Sequence, residues 1–436
     1  MKAARGLQLV ERWYIALLLV VFGGIVLQAP IAVISTVLWP HAGLEIKAWA
    51  EILMAVAALL AGYLLYKKQQ LVLLKRPIML LIGALALLHL LLIPVFYQGA
   101  LPTIAGLLID LRYLLFFALV YVAMQLFPRY RRPFLVVGAM GAAVVLGFAL
   151  LQVFVLPKDI LKYLGYSKAT IVPYLTVDLN NAFIRINSTL RGPNPLGAYA
   201  VMALALTVAF VMRRRFIWDW RRIVAVALLS FGGLVGLWAS YSRSAVIAGI
   251  IAVVIAVSLS LSKKYLLRLW LIIAAAFVVG IVTVALIGHS SFFSNVVLHA
   301  NPQGGSATKS DEGHLSSLAA GTRSLLYQPL GQGIGSTGSA SLFGSSPEII
   351  ENQYLFVAHE SGWIGLTLFI GLLVLIFQKL WQKRGDWLVV GVIASGVGLV
   401  IIGFLLPVFV DDTVSIVWWG LAALAIGQEK VGRQKR

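Results

Sequence analysis

Long apolar runs alternate with short polar breaks along the whole chain. The runs cover roughly residues 14–36, 49–66, 77–96, 104–126, 134–155, 196–212, 223–240, 244–262, 269–288, 354–377, 387–409 and 413–427. A helix needs roughly 20 apolar residues to span the hydrocarbon layer, and most runs approach that length. Each reads as a helix, because a lone strand cannot satisfy its backbone N–H and C=O groups in lipid. Two intervals, 156–195 and 289–353, are long enough to fold outside the apolar layer, and the second is rich in Gly and Ser. No internal repeat at a fixed period is visible. The pattern predicts an all-α polytopic membrane protein of about 12 transmembrane helices. Residues 1–436 then form a single integral membrane domain, with a large loop before the tenth helix. The first run is too long for a simple signal peptide, and no clear small-residue cleavage site follows it.

Composition agrees: 61% of residues are hydrophobic and only 12% charged, wrong for a soluble domain. The net charge of +19 would suggest nucleic acid in a soluble protein. Here the cations alternate with the loops. They cluster at Lys2/Arg5/Arg12, Lys67/Lys68/Lys75/Arg76, Arg129/Arg131/Arg132, Arg213/Arg214/Arg215/Arg221/Arg222, Lys263/Lys264/Arg268, Lys379/Lys383/Arg384 and Lys430/Arg433/Lys435/Arg436. Every second loop is basic, as the positive-inside rule requires. That places both termini in the cytoplasm and both long loops outside the cytoplasmic membrane, and it removes nucleic acid as a partner. Cysteine is absent, which excludes disulfides and zinc-thiolate sites.

Arginines in the stretch "IRINSTLRGPNPLGAY" (183–198) break the charge bias, since that loop falls outside. Arg185 and Arg191 either snorkel to lipid headgroups or bind an anion. A guanidinium offers a planar fork that fits phosphate oxygens. Pro193-Asn194-Pro195 forces a turn and starts a helix at Leu196 or nearby, whose N-terminus favours an anion. "SYSRSA" (240–245) sets Arg243, flanked by Ser242 and Ser244, between two apolar runs with almost no loop. Asp110 and Arg112 lie inside a predicted span, where a structural ion pair between helices is the plain reading.

The third stretch is "IIENQYLFVAHESGWIGL" (349–366). A helix starting near Glu351 places Glu351, Leu355, Ala358, Gly362 and Gly365 on one face, with Asn352 and His359 on the adjoining one. Glu351 is a candidate general base or sugar-hydroxyl ligand, or an acid favoured by the helix dipole. His359 and Glu360 fit a buried hydrogen-bonded pair. "GIGSTG" (333–338) matches GxGxxG but has no strand-turn-helix context, so a dinucleotide site is not expected. "NST" (187–189) matches a glycosylation acceptor, a common coincidence. Asp311 and Glu312 are adjacent, poor geometry for a metal clamp. No cofactor and no metal is expected, which leaves arginines to meet any phosphate charge.

These stretches, in this order, resemble the O-antigen ligase and O-antigen polymerase family of membrane glycosyltransferases. Members show an "RxxGT(F/L)xxPN" stretch before a helix, matched by "RINSTLRGPNPLGAY", with Ser188 where Gly is usual. They show a Ser-Arg segment between central helices, matched by "SYSRSA", and a "PLGxGxGS" stretch in a large loop, matched by "PLGQGIGS" (329–336). An "HN…GxxG" element follows, matched by Asn352 and Gly362-x-x-Gly365, with Glu351 in place of the His. The similarity covers mainly residues 185–366. It implies a GT-C-like fold and metal-independent, inverting transfer of a glycan from undecaprenyl diphosphate to an acceptor hydroxyl outside the cytoplasmic (inner) membrane. Arg185, Arg191 and Arg243 would take the diphosphate and Glu351 the proton, with Asn194, Asn352 and His359 positioning substrate. The implied partners are the lipid-linked glycan donor, a glycan, lipid-linked or protein acceptor, and membrane lipids. The Glu351 departure keeps polymerase and protein O-oligosaccharyltransferase activities beside ligase. A polyprenyl-linked glycan flippase is the reading from another class. It favours helices broken at mid-membrane and two related halves, neither of which the sequence displays.

The charge pattern makes a direct prediction. Single cysteines at Ser167 and Ser306 should react with a membrane-impermeant thiol reagent in whole cells, any outer membrane having been permeabilised first. Labelling only after inner-membrane lysis would invert the topology.

Overall fold

Helix accounts for about three quarters of the described residues. The computed structural model describes residues 2–39, 46–177, 180–213, 218–287, 290 and 307–427. Residues 289 and 291–306, much of the loop expected before the tenth helix, lie outside the described residues, so that loop is not traced in full. Among the described residues, eight helical segments are long and apolar enough to cross a membrane. Pro77–Leu92, Trp387–Ile402 and Asp412–Ile426 are apolar but shorter. The first predicted run is not one uninterrupted helix. It divides into Lys2–Gly24, a 3₁₀ turn at Ile25–Leu27, and Gln28–Leu38. Pro30 has no N–H to return to Val26, and the chain tightens there. Gly24 also lets Trp49 in close, with Trp49 Cη2 only 2.8 Å from where a Cβ would stand.

The chain divides into two compact units. The first comprises Met1–Gly141, Leu318–Lys383 and Leu406–Arg436. Its centre is helix Asp412–Ile426, in which every residue from Thr413 onward is buried. Asp411 starts that helix by accepting from the Thr413 and Val414 N–H groups (3.1 and 2.9 Å). Trp418 and Trp419 sit edge to face at 5.3 Å, and Trp419 reaches Tyr113 at 5.1 Å. These are the offset geometries that aromatic quadrupoles favour.

Helix Ala100–Leu126 packs on this core and carries two charges. Asp110 and Arg112 do not pair with each other. Two residues apart on a helix they point about 200° apart. Arg112 instead pairs with Asp412, approaches Glu51 (3.6 Å) and donates to the Val410 carbonyl (2.8 Å). The buried guanidinium thus ties its own helix to two other segments of the unit, each of which supplies a carboxylate.

The second unit comprises Ala142–Ser317 and Arg384–Leu405. Its axis is helix Pro193–Val211, packed by Trp220–Ala239, Arg243–Ser260 and Trp387–Ile402. Small residues permit the close approach: a Cβ on Gly398 would meet Val201 at 2.8 Å, and one on Gly391 would meet Leu206 at 2.7 Å. Within residues 156–195 the chain forms an antiparallel hairpin, Tyr174–Val177 with Asn180–Ile186.

Candidate functional site

In the second unit, the hairpin delivers Arg185 to the starts of two packed helices. Arg185 lies opposite Leu175 in the hairpin. Its Nε donates to the Ser240 carbonyl (2.9 Å) and its terminal nitrogen to Asn194 Oδ1 (2.6 Å). Helix Pro193–Val211 begins at Pro193, where a missing N–H costs nothing and φ is already set. This is three residues earlier than the sequence pattern gives. Helix Arg243–Ser260 begins at Arg243, whose side chain is exposed. The two starts adjoin: a Cβ on Gly197 would stand 2.8 Å from Ala245 Cβ and 2.9 Å from Ser240 Oγ. Arg191, also exposed, lies two residues before Pro193. Arg185, Arg191, Arg243 and Asn194 are therefore gathered at one end of this unit, beside two helix N-termini.

The turn that links hairpin to helix is heavily built. Ser188 has a left-handed backbone, φ 52°. Its N–H donates to Gln152 Oε1 (2.8 Å) and its hydroxyl to the Val145 carbonyl (2.6 Å). Asn187 is buried and its amide donates to the Val172 carbonyl (2.7 Å), so the Asn-Ser-Thr match belongs to a folded turn. Tyr241, also left-handed at φ 47°, stands edge-on to Phe183 at 6.2 Å. Partial burial raises its phenol pKa above the ordinary value.

Glu351, Asn352 and His359 belong to the first unit, where the face expected to run from Glu351 to Gly365 keeps Leu355 and Ala358 but is interrupted at both Glu351 and Gly362. The helix runs Gln353–Trp381, so Glu351 precedes it. Asn352 is its N-cap, accepting from the Tyr354 and Leu355 N–H groups (2.9 and 3.0 Å). Gly362, with φ 66° and ψ −164°, breaks the helix nine residues after its first residue, Gln353. The sequence showed no broken helix because the break is satisfied by a distant segment. Gln332 N–H donates to the His359 carbonyl (2.6 Å), Gly333 N–H to the Glu360 carbonyl (3.1 Å), and Trp363 N–H to the Pro329 carbonyl (2.9 Å). The "PLGQGIGST" stretch is thus a plug for the broken helix. Gly331, Gly333 and Gly335 all have positive φ (80°, 98° and 83°), which explains its composition.

The plug also holds Glu360, which the sequence pairs with its neighbour His359. Glu360 is buried, and its Oε1 accepts from Gly335 N–H (3.0 Å) and Thr337 N–H (3.4 Å). Its neighbour His359 is fully buried, 3.7 Å from Glu348 rather than paired with Glu360. Burial, rather than sequence spacing, singles out Glu360. Among the described residues no three His, Asp or Glu side chains converge closely enough to hold a metal ion. Comparison with known protein families finds no match for the chain, nor does comparison with curated proteins.

The break predicts unequal tolerance of alanine along one helix. At Gly362 a Cβ would lie 2.2 Å from the Pro329 carbonyl, in a backbone region almost confined to glycine. At Gly371 nothing lies within 4 Å. Gly362→Ala should lower the melting temperature of the purified protein by several degrees or more and expose the plug to protease. Gly371→Ala should leave both unchanged. Equal behaviour of the two variants would contradict the plugged break.

Proposed function

We propose that the chain is a membrane-embedded glycosyltransferase of the O-antigen ligase or polymerase type. It moves a glycan from undecaprenyl diphosphate to an acceptor hydroxyl on the extracytoplasmic side of the inner membrane. The observation that carries this reading is the gathering of Arg185, Arg191 and Arg243 beside two helix N-termini. Residues more than fifty positions apart in sequence meet there, and both guanidinium forks and helix ends suit a diphosphate. Ser188 supports the resemblance in a second way. It stands where the family pattern has glycine, and its backbone is left-handed, as glycine favours. Eight long apolar segments, three shorter ones and helix Lys263–Ile287 accord with twelve spans. With the basic clusters on alternate loops, both termini are then cytoplasmic.

In this reading the acceptor oxygen attacks the anomeric carbon from the face opposite the diphosphate. The bond to the diphosphate oxygen breaks with inversion, and the arginines meet the charge on the leaving undecaprenyl diphosphate. On the resemblance alone, Glu351, in the place of the family histidine, is the residue assigned to the acceptor proton. Arg185 is oriented by Asn194, so Asn194 positions the site rather than reacting. Asn352 shapes the start of the helix after Glu351.

A second reading has one observation in its favour. A helix broken at Gly362, roughly 14 Å along its axis from its start, with buried carboxyls beside it, is a feature of transporters. A polyprenyl-linked glycan flippase is therefore the competing function.

Transfer assays on variants separate roles. Arg191→Lys and Arg243→Lys keep the charge and lose the fork. Each should lower turnover by roughly thirty- to a thousandfold with normal membrane insertion. Glu351→Gln keeps the shape and loses the base, so transfer should fall by about a hundred- to ten-thousandfold while donor binding survives. Wild-type turnover in Arg191→Ala and Arg243→Ala would return those arginines to lipid headgroups. Loss of donor binding in Glu351→Gln would remove Glu351 from proton transfer.

A further inference from the structure

A partly enclosed cavity in the first unit is lined by two carboxyl oxygens that lack a hydrogen-bond donor. It lies where helices Pro77–Leu92, Ala100–Leu126 and Gln353–Trp381 meet, with about 10 Å³ of free space, room for one water. Its polar lining is His89, Asp110, Tyr113, Glu360 and Ser361. Asp110 and Glu360 are 5% and 2% exposed. Asp110 Oδ2 and Glu360 Oε2 are buried without a hydrogen-bond partner, although Glu360 Oε1 is held by the plug. His89 Nδ1 lies 2.8 Å from the Leu85 carbonyl, so Nδ1 carries the hydrogen. That leaves Nε2 an acceptor when the ring is neutral, 3.7 Å from Asp110 Oδ2.

The other charges nearby are engaged elsewhere. Arg112 turns to Asp412 and Glu51, and His359 faces Glu348. From the Leu406–Arg436 segment the cavity receives Val410, with no titratable side chain. Facing oxygens that can only accept repel each other, and in a low-dielectric interior the cost is large. One proton turns the arrangement into a donor-acceptor pair.

We propose that Asp110 and Glu360 share one proton taken up from water, which makes this cavity a proton-binding site. Glu360 carries the proton on Oε2 and donates towards Asp110, while Oε1 continues to accept from the plug. Release of the proton to water leaves two adjoining carboxylates. Their repulsion pulls on Glu360 and thereby on Gly335 and Thr337, so the seating of the plug on the broken helix is tied to proton occupancy. The site is independent of glycosyl transfer and stands under either function.

Infrared difference spectra of the full-length protein in lipid nanodiscs, taken in H₂O and D₂O at neutral pH, test this directly. The wild type should show a deuterium-sensitive C=O band of a buried protonated carboxyl. Glu360→Gln should lack it. Asp110→Asn should shift it, because its hydrogen-bond partner has changed. If either variant fails to fold, titration of the wild type alone decides: the band should vanish in a single one-proton step as pH rises. Absence of the band from wild type at every pH, or its full retention in folded Glu360→Gln, would overturn the proposal.

Discussion

A backbone N–H or C=O that faces hydrocarbon must find its partner within the protein, and the first unit is arranged around one place where that is hardest. At Gly362 a 29-residue helix stops being helical inside its apolar length. The His359 and Glu360 carbonyls and the Trp363 N–H lose their helical partners there. Residues 329–333 replace them, pair by pair. Everything about the plug follows from that duty. It needs left-handed turns at alternate residues, hence glycine at 331, 333 and 335. It must lie against other backbone, hence Gly106, where a Cβ would come within 2.6 Å of the Gly335 nitrogen.

Charges in the same unit obey a parallel rule, since an unpaired ion in an apolar interior is expensive. Arg112 is shared among Asp412, Glu51 and a carbonyl, which fixes it as an internal tie. Asp110, two residues away, turns to the opposite side and meets His89 and Glu360, where donors are too few. The contrast separates a cluster in which a cation faces carboxylates from one in which two carboxyls face a cavity. In the second unit the exposed Arg191 and Arg243 sit at helix starts, where an anion gains from forks and backbone dipoles together.

Apolar length made the helices legible in the sequence, because lipid leaves helix as nearly the only solution. A cation outside the basic loops, beside Pro-Asn-Pro, is costly without a reason, and that much is readable from the sequence; the fold adds that Arg185 is held by Asn194 at the start of a helix. Glu351 was misplaced by two residues relative to its helix, since Asn352 is the better cap and takes that position. The break at Gly362 left no trace in the hydropathy, because Gly362 lies within an apolar run and its partners come from some thirty residues upstream. Glu360 reads in the sequence as a partner for His359 for the same reason: only the fold brings Asp110 and the plug to it. The hairpin at 174–186 is too short and too mixed in polarity to stand out from a loop.

Bond cleavage separates the proposed enzyme from a carrier. Purified protein in nanodiscs should be given a defined undecaprenyl-diphosphate-linked glycan with and without a hydroxyl acceptor. Liberated undecaprenyl diphosphate and extended acceptor should then be measured together. Glycosyl transfer predicts that the two appear in equal amounts, and that neither appears with acceptor omitted. Intact donor throughout, combined with its movement between leaflets when the protein is placed in sealed vesicles, would contradict the account and make the protein a transporter.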